Sequence, residues 1–157
     1  MLVTSRTAKI ALILLALCAD GEALAFDLVT AAEFERERQA EAHPTRAMPA
    51  PPRGLSPGAP LIEIRQPTQL DGVKAPFTIQ LGFKVSDGAE VDLKSFRVLY
   101  GLLKLDITNR LLEKARLSTE GLMLTDAAIP SGSHRLRIEL KDNKGRETDL
   151  DVTIKVL

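Results

Sequence analysis

Aromatic residues and cysteine are scarce in this chain of 157 residues, and its formal net charge is zero. It has five Phe, one Tyr and no Trp, so few rings are available to stack on sugars or on single-stranded nucleic acid. Lys and Arg number 21, as do Asp and Glu, so no long-range field attracts nucleic acid or an acidic membrane surface. The single Cys leaves no pair for an internal disulfide. A globular chain without these features must be held by its apolar core.

The first 25 residues have the order of a secretory signal peptide. Arg6 and Lys9 precede an apolar run over residues 10–19, and residues 23–25, Ala-Leu-Ala, fit a small-residue cleavage site. The apolar run is about half of the ~20 residues that a membrane-spanning helix needs. We therefore expect cleavage after residue 25 and a periplasmic or secreted protein without a transmembrane segment. Lipoprotein anchoring through Cys18 is the alternative, although the large residue before it disfavours lipidation.

Two segments separate the signal from the folded part. Residues 26–42 are helix-prone, with Thr30 and Glu33 at capping-box spacing, but their apolar face is thin. We expect a frayed helix, and docking onto a partner or back onto the chain's own domain is the alternative. Residues 43–60 contain six prolines and are expected to form a semi-extended linker. His43, inside this linker, is expected to be solvated.

Residues 61–157 alternate between apolar and polar side chains, which is the period of a half-buried β-strand. About seven short strands separated by turn residues imply an antiparallel, all-β two-sheet sandwich. A short helix is predicted over residues 109–115, and Gly145 is expected to take a positive φ in the last hairpin. Residues 115–125 are predicted to form a strand pair or a bent strand around Gly121. The predicted inward-facing residues include Ile62, Ile64, Phe77, Ile79, Leu81, Phe83, Val85, Phe96, Val98, Tyr100, Leu103, Leu105, Ile107, Leu136, Ile138, Leu140, Leu150, Val152, Ile154 and Val156.

Several motifs of this part follow one another in a familiar order. S-F-R-V-L-Y-G begins at residue 95, D-I-T at 106 and L-S-x-x-G at 117, and P-S-G-S-H-R-L-R-I-E-L-x-D-x-x-G-R begins at 130. This order resembles bacterial immunoglobulin-like, or fibronectin III-like, β-sandwich domains of exported proteins. The resemblance covers residues 61–157. It implies a sandwich that serves as a spacer, adaptor or binding module, and it implies no catalytic residues.

Four polar residues form the candidate binding patch: Tyr100, Asp106, Thr108 and Arg110. The alternative is local, with Asp106 or Thr108 capping the short helix and Arg110 pairing with an acid. His134 shares the parity of the apolar residues that follow it. We expect a structural histidine at a corner of the core, hydrogen-bonded to a loop carbonyl, because a lone His lacks the partners that metal binding or catalysis requires.

No catalytic, cofactor-binding or metal site is expected. Asp142, Asn143 and Asp149 are oxygen ligands of the kind that calcium takes, but Lys144 and Arg146 lie among them and repel a cation. The serines have no partnered base, and a phosphate-binding glycine-rich loop is absent from the sequence. We therefore expect a non-enzymatic exported binding or adaptor module without a cofactor, whose partner is another periplasmic or envelope protein. A periplasmic domain that binds cell-wall glycan or metal is the alternative.

Overall fold

The structure, a computed structural model, describes residues 26–43 and 57–157. The predicted signal peptide and most of the predicted linker lie outside the described residues. None of the helices in this part of the chain is long and apolar enough to span a membrane. The strands are β1 (Phe26–Asp27), β2 (Leu61–Gln66), β3 (Asp71–Val73), β4 (Phe77–Lys84), β5 (Val91–Tyr100), β6 (Leu105–Asp106), β7 (Arg116–Ser118), β8 (Gly121–Ala128), β9 (Gly132–Asp142) and β10 (Glu147–Val156), and the helices are α1 (Ala31–Ala42) and α2 (Thr108–Leu112).

The strands form two sheets that pack face to face. In sheet A the order is β1-β8-β4-β2, with β7 also paired to β8, and in sheet B it is β3-β10-β9-β5-β6. The pairs are antiparallel, except that β1 joins β8 and β3 joins β10 in parallel. The order β2-β4-β8-β7 opposite β5-β9-β10 is that of the A-B-E-D and C-F-G sheets of immunoglobulin constant-type domains. The predicted two-sheet sandwich is confirmed.

The core lies between the sheets and follows the alternation of the sequence. In β9 and β10, the buried residues alternate with charged residues that face solvent. The two strands pair in register, so that His134 lies opposite Ile154 and Leu136 opposite Val152. The hairpin between them turns at Gly145, which has the predicted positive φ of 76°. The predicted strand pair around Gly121 is also present, as β7 and β8.

The predicted inward positions of Leu103 and Leu105 are wrong. These side chains are 61% and 41% exposed, although they share the sequence parity of Ile107, which is buried. The chain reverses here, because Gly101 has a φ of 70° and Lys104 a φ of 50°, and neither value belongs to a strand. The alternation therefore stops at the end of β5 and leaves leucines on a hairpin tip. Val85 is exposed too, since β4 ends one residue before it.

The segment before the linker was expected to be a frayed helix, and this expectation is wrong. The segment docks onto the chain's own domain, which was one of the stated alternatives. Thr30 and Glu33 form the predicted capping box at the start of α1. Leu28 and Val29, just before the helix, are completely buried in the core between the sheets. Burial of two aliphatic side chains supplies the free energy that the thin apolar face of α1 lacks. His43, at the other end of α1, is exposed, in agreement with its prediction.

Candidate functional site

Helix α1 covers one end of the sandwich, at which β5 finishes and β9 begins. We call this region the α1 end. It comprises the β5–β6 hairpin, the start of β9 with the loop before it, and α2, all in contact with residues of the segment 26–43. All four residues of the predicted patch, and His134, lie at or beside this end.

Tyr100 and His134 form a buried pair below α1. Both side chains are 1% exposed. The Tyr100 hydroxyl lies 2.9 Å from His134 Nδ1, and His134 Nε2 lies 2.7 Å from the carbonyl oxygen of Pro130. A carbonyl only accepts, so Nε2 carries the proton and Nδ1 accepts from Tyr100. The prediction of a structural histidine bonded to a loop carbonyl is confirmed.

Burial sets the protonation state of this pair. It lowers the pKa of His134, because the charged imidazolium loses its water on transfer to the interior. It raises the pKa of Tyr100, and the negative charges of α1, first that of Glu37, raise it further. Both groups are therefore neutral at pH 7, which suits a buried hydrogen-bonded pair better than an acid–base pair that reacts with a substrate.

Phe34 closes this pair from above. Its ring centroid lies 4.7 Å from that of His134, with the planes inclined at 37°. Room for the Phe34 ring comes from Gly132, where a Cβ would lie 2.4 Å from the ring. Phe34, the single aromatic residue of α1, thus covers His134 at the end of the sheet.

Arg110 binds the start of α1 rather than an external ligand. Its Nη1 and Nη2 donate to the two carboxylate oxygens of Glu33 at 2.6 and 2.8 Å, and Nη1 also donates to the carbonyl of Leu28 at 3.2 Å. The guanidinium hydrogen bonds lower the pKa of Glu33 to about 2. This bidentate geometry is the strongest form of the Arg–carboxylate pair. The acid that pairs with Arg110 thus comes from the N-terminal segment.

Asp106 and Thr108 organise the start of α2. Asp106 accepts the backbone N–H of Thr108 at 2.9 Å and an Arg97 N–H at 3.2 Å. Bonds from Thr108 are the main cause of a lowered pKa of Asp106. The Thr108 hydroxyl is buried and accepts the backbone N–H of Val98 at 2.8 Å. Asp106 thus reaches forward to the helix, as the local alternative stated, whereas Thr108 ties α2 to β5.

The four residues of the predicted patch are therefore neighbours in the fold but not a shared surface. Tyr100 and Thr108 are buried, Arg110 is covered by Glu33, and Asp106 is the most accessible. Sequence reasoning did not place the residues that complete the α1 end, which are Leu28, Val29, Glu33, Phe34 and Glu37. The capping box was their sequence signal, because it fixes where the helix starts, but it says nothing about what the helix packs against.

Glu37 links α1 to the tip of the β5–β6 hairpin. Its carboxylate accepts the backbone N–H of Leu102, and that of Leu103 at 3.5 Å. Gly101 makes this approach possible, because a Cβ there would lie 2.2 Å from the carboxylate. Held in this way, the hairpin tip presents Leu102, Leu103 and Leu105 outward, with 48%, 61% and 41% of their surfaces exposed.

The core contains a small cavity, and the last hairpin is closed by bonds within its own turn. A cavity of about 30 Å³ between the sheets is lined by aliphatic residues, with Gln66 and Pro67 at its margin. No group of three or more His, Cys, Asp or Glu in the described ranges is arranged to hold a metal ion. Asp142 instead accepts bonds from Lys144 and Arg146 within the turn.

Comparisons with known proteins yield structural matches alone. No family model matches the chain, and no curated protein matches it. CopC from Methylosinus trichosporium OB3b is 16% identical, with a TM-score of 0.41 over 61% of this chain and 93% of the other. The fibronectin(III)-like modules of Clostridium thermocellum CbhA are also 16% identical, with a TM-score of 0.38 over 61% and 94% of the chains. By its own strand order, the described part of the chain is an immunoglobulin-like β-sandwich.

Proposed function

We propose that this chain is a non-enzymatic, exported binding or adaptor module that contacts another envelope protein through the β5–β6 hairpin tip. The single observation that carries the proposal is the exposure of Leu102, Leu103 and Leu105 within four consecutive positions. Single exposed leucines are ordinary on protein surfaces, whereas several that adjoin one another mark a contact site.

Rigidity supports the same proposal. Glu37 holds the backbone of the hairpin tip, and β6 pairs with β5 through Leu99 and Tyr100. A tip fixed before binding loses little conformational entropy when a partner covers it. An apolar, pre-organised tip fits a partner protein that presents an apolar depression.

The proposal includes export of the chain and the absence of catalysis. The signal-like order of residues 1–25 supports export to the periplasm. The titratable residues of the α1 end support a structural role, because Glu33, Glu37 and His134 each bond to groups of the same chain. These bonds stabilise the domain and occupy the atoms that a substrate would need.

Proximity labelling in the native envelope tests the proposal with three forms of the full chain. These are the wild type, a Leu102→Ser/Leu103→Ser variant and a Met123→Ser control, which changes an exposed apolar residue of β8 in the other sheet. We expect one envelope protein to be enriched by the wild type and the control and lost with the double variant. Equal enrichment by all three forms, or by none, contradicts the proposal. A reproducible rise in melting temperature with a cell-wall glycan or a divalent metal would favour the alternative class.

A further inference from the structure

The segment 26–43 crosses the α1 end like a strap, and His134 lies beneath it. The strap is attached at several points: Leu28 and Val29 in the core, Glu33 on Arg110, Phe34 on His134, Glu37 on the hairpin tip, and Glu41 on Arg135 at 3.7 Å. The contact between Phe34 and His134 is the one that involves a group whose charge changes near neutral pH.

Both nitrogens of His134 are used in a way that suits the neutral ring. Nε2 donates to Pro130, and Nδ1 accepts from Tyr100. Protonation places a second N–H on Nδ1, and the Tyr100 hydroxyl must then turn its own proton away. That proton needs an acceptor inside a region where Tyr100 is 1% exposed. A buried donor without a partner is costly, and so is a buried charge.

The charged groups around His134 do not offset this cost while the strap is in place. Glu33, Glu37 and Glu41 of α1 act on Tyr100, the hydrogen-bond partner of His134. Arg38 of α1 lies over Phe34, and Arg135 follows His134 in β9. Glu33 is bound to Arg110, Glu37 to the hairpin backbone and Glu41 to Arg135. Arg38 lies 6.0 Å above the Phe34 ring and adds positive charge. Each carboxylate is therefore engaged elsewhere when a proton arrives.

We propose that the strap is a pH-sensitive latch, in which protonation of His134 moves Phe34 off the ring and releases α1 from the end of the sandwich. Release exposes the imidazolium of His134 to water, and it frees the tip of the β5–β6 hairpin from Glu37. The latch does not rest on the proposed partner contact, because every group in it belongs to this chain.

The direction of the effect follows from the lowered pKa of His134. With its pKa lowered in the docked state, the docking free energy is complete above the ordinary histidine value of 6.5 and declines as the pH falls below it. Glu33 also stabilises the strap, but its pKa of about 2 means that its contribution declines only below its ordinary value of 4.5. Between pH 6.5 and pH 4.5, the loss of docking free energy therefore comes from His134 and not from Glu33.

The composition of the chain makes the latch directly observable by NMR. The full chain has two histidines and one tyrosine, so the ring signals of His43, His134 and Tyr100 are assignable. We expect the amides of α1 to lose hydrogen-exchange protection between about pH 7 and about pH 5, while β9 and β10 keep theirs. The His134 ring signals should titrate over the same interval. Retained protection of α1 down to about pH 5 would overturn the proposal.

Three variants separate the latch from general acid sensitivity. His134→Gln should keep α1 protected at about pH 5, and His43→Gln, at the exposed histidine, should behave as the wild type. Phe34→Ala keeps the test valid if His134→Gln fails to fold. It should loosen α1 at neutral pH and bring the pKa of His134 toward its ordinary value. Loss of α1 protection at the same pH in His134→Gln and the wild type contradicts the latch, as does an unchanged His134 titration in Phe34→Ala.

Discussion

The Arg110 guanidinium and the Glu33 carboxylate are joined by two hydrogen bonds across 77 positions of sequence. The pair ties α2 of the sandwich to α1 of the N-terminal segment. Because Glu33 also completes the capping box with Thr30, one carboxylate both starts the helix and attaches it. The pair is thus a direct polar connection between the segment and the domain.

Replacement of Arg110 by Ala should lower the free energy of unfolding by about 1–3 kcal/mol, because it leaves the largely buried carboxylate of Glu33 without its charged partner. Urea unfolding at pH 7 measures the change. Arg38→Ala is the matched control, since Arg38 makes an exposed pair with Glu35, and such pairs contribute about 0–1 kcal/mol. Equal effects of the two substitutions would show that the Arg110–Glu33 pair does not hold the segment.

The same carboxylate predicts a loss of stability in acid. Hydrogen bonds from Arg110 lower the pKa of Glu33 from 4.5 to about 2, so below 4.5 the unfolded state binds more protons than the folded state. The stabilisation is complete above 4.5 and disappears as the pH falls to about 2. Glu33→Gln should be less stable than the wild type at pH 7 and should lose less on acidification. Unfolding curves over this interval check it, with Glu35→Gln as the control. An identical acid loss in Glu33→Gln would contradict the assignment.

Alanine substitutions at Gly101 and Gly88 form a matched pair that tests the contact between Glu37 and the hairpin. Both have a positive φ, 70° and 63°, but a Cβ at Gly101 meets the Glu37 carboxylate at 2.2 Å, whereas a Cβ at Gly88 meets nothing within 4 Å. Gly88→Ala should cost about 1–2 kcal/mol through backbone strain alone. Gly101→Ala should cost about 1–3 kcal/mol more, since Glu37 must leave the hairpin N–H groups. Thermal or urea unfolding compares them, and equal losses would mean that the Glu37 contact adds no stability.

The sandwich itself could be predicted from the sequence because its signal is local. The alternation in β9 and β10 fixes which side chains face the core, and the parity of His134 with Leu136 placed its ring inside. Side chains of a strand point alternately to its two faces, so a residue that shares the parity of its apolar neighbours lies on the buried face. The positive φ of Gly145 followed from the same kind of local rule.

The α1 end could not be predicted because its contacts are distant in sequence. Nothing in the spacing of residues 28–42 shows that Glu33 meets Arg110 or that Phe34 meets His134. The helix was judged by its own thin apolar face, whereas its stability comes from Leu28 and Val29, which precede it and fill the core. A pattern within one element does not report the partner that buries it.

Leu28 and Leu103 are a matched pair of leucines that tests whether the N-terminal segment belongs to the core. Leu28 is completely buried, and Leu103 is 61% exposed. Leu28→Ala should lower the free energy of unfolding by about 2–5 kcal/mol, because it leaves a cavity between the sheets. Leu103→Ala should change it by less than about 0.5 kcal/mol. Urea unfolding with a single cooperative transition measures both. A small effect of Leu28→Ala would show that the sandwich is complete without the segment.

Asp142 should behave as an anchor of the β9–β10 turn and not as a calcium ligand. Its Oδ1 accepts the backbone N–H groups of Lys144 and Arg146 at 2.9 Å each, and Oδ2 accepts Nε of Arg146 at 2.6 Å. Asp142→Ala removes all three bonds and should lower the melting temperature. Asp142→Asn keeps an acceptor for the backbone N–H groups and should lower it less. Millimolar calcium should leave the wild-type melting temperature unchanged, because the Arg146 guanidinium already neutralises the carboxylate. A rise with calcium that is absent in Asp142→Asn would reverse this assignment.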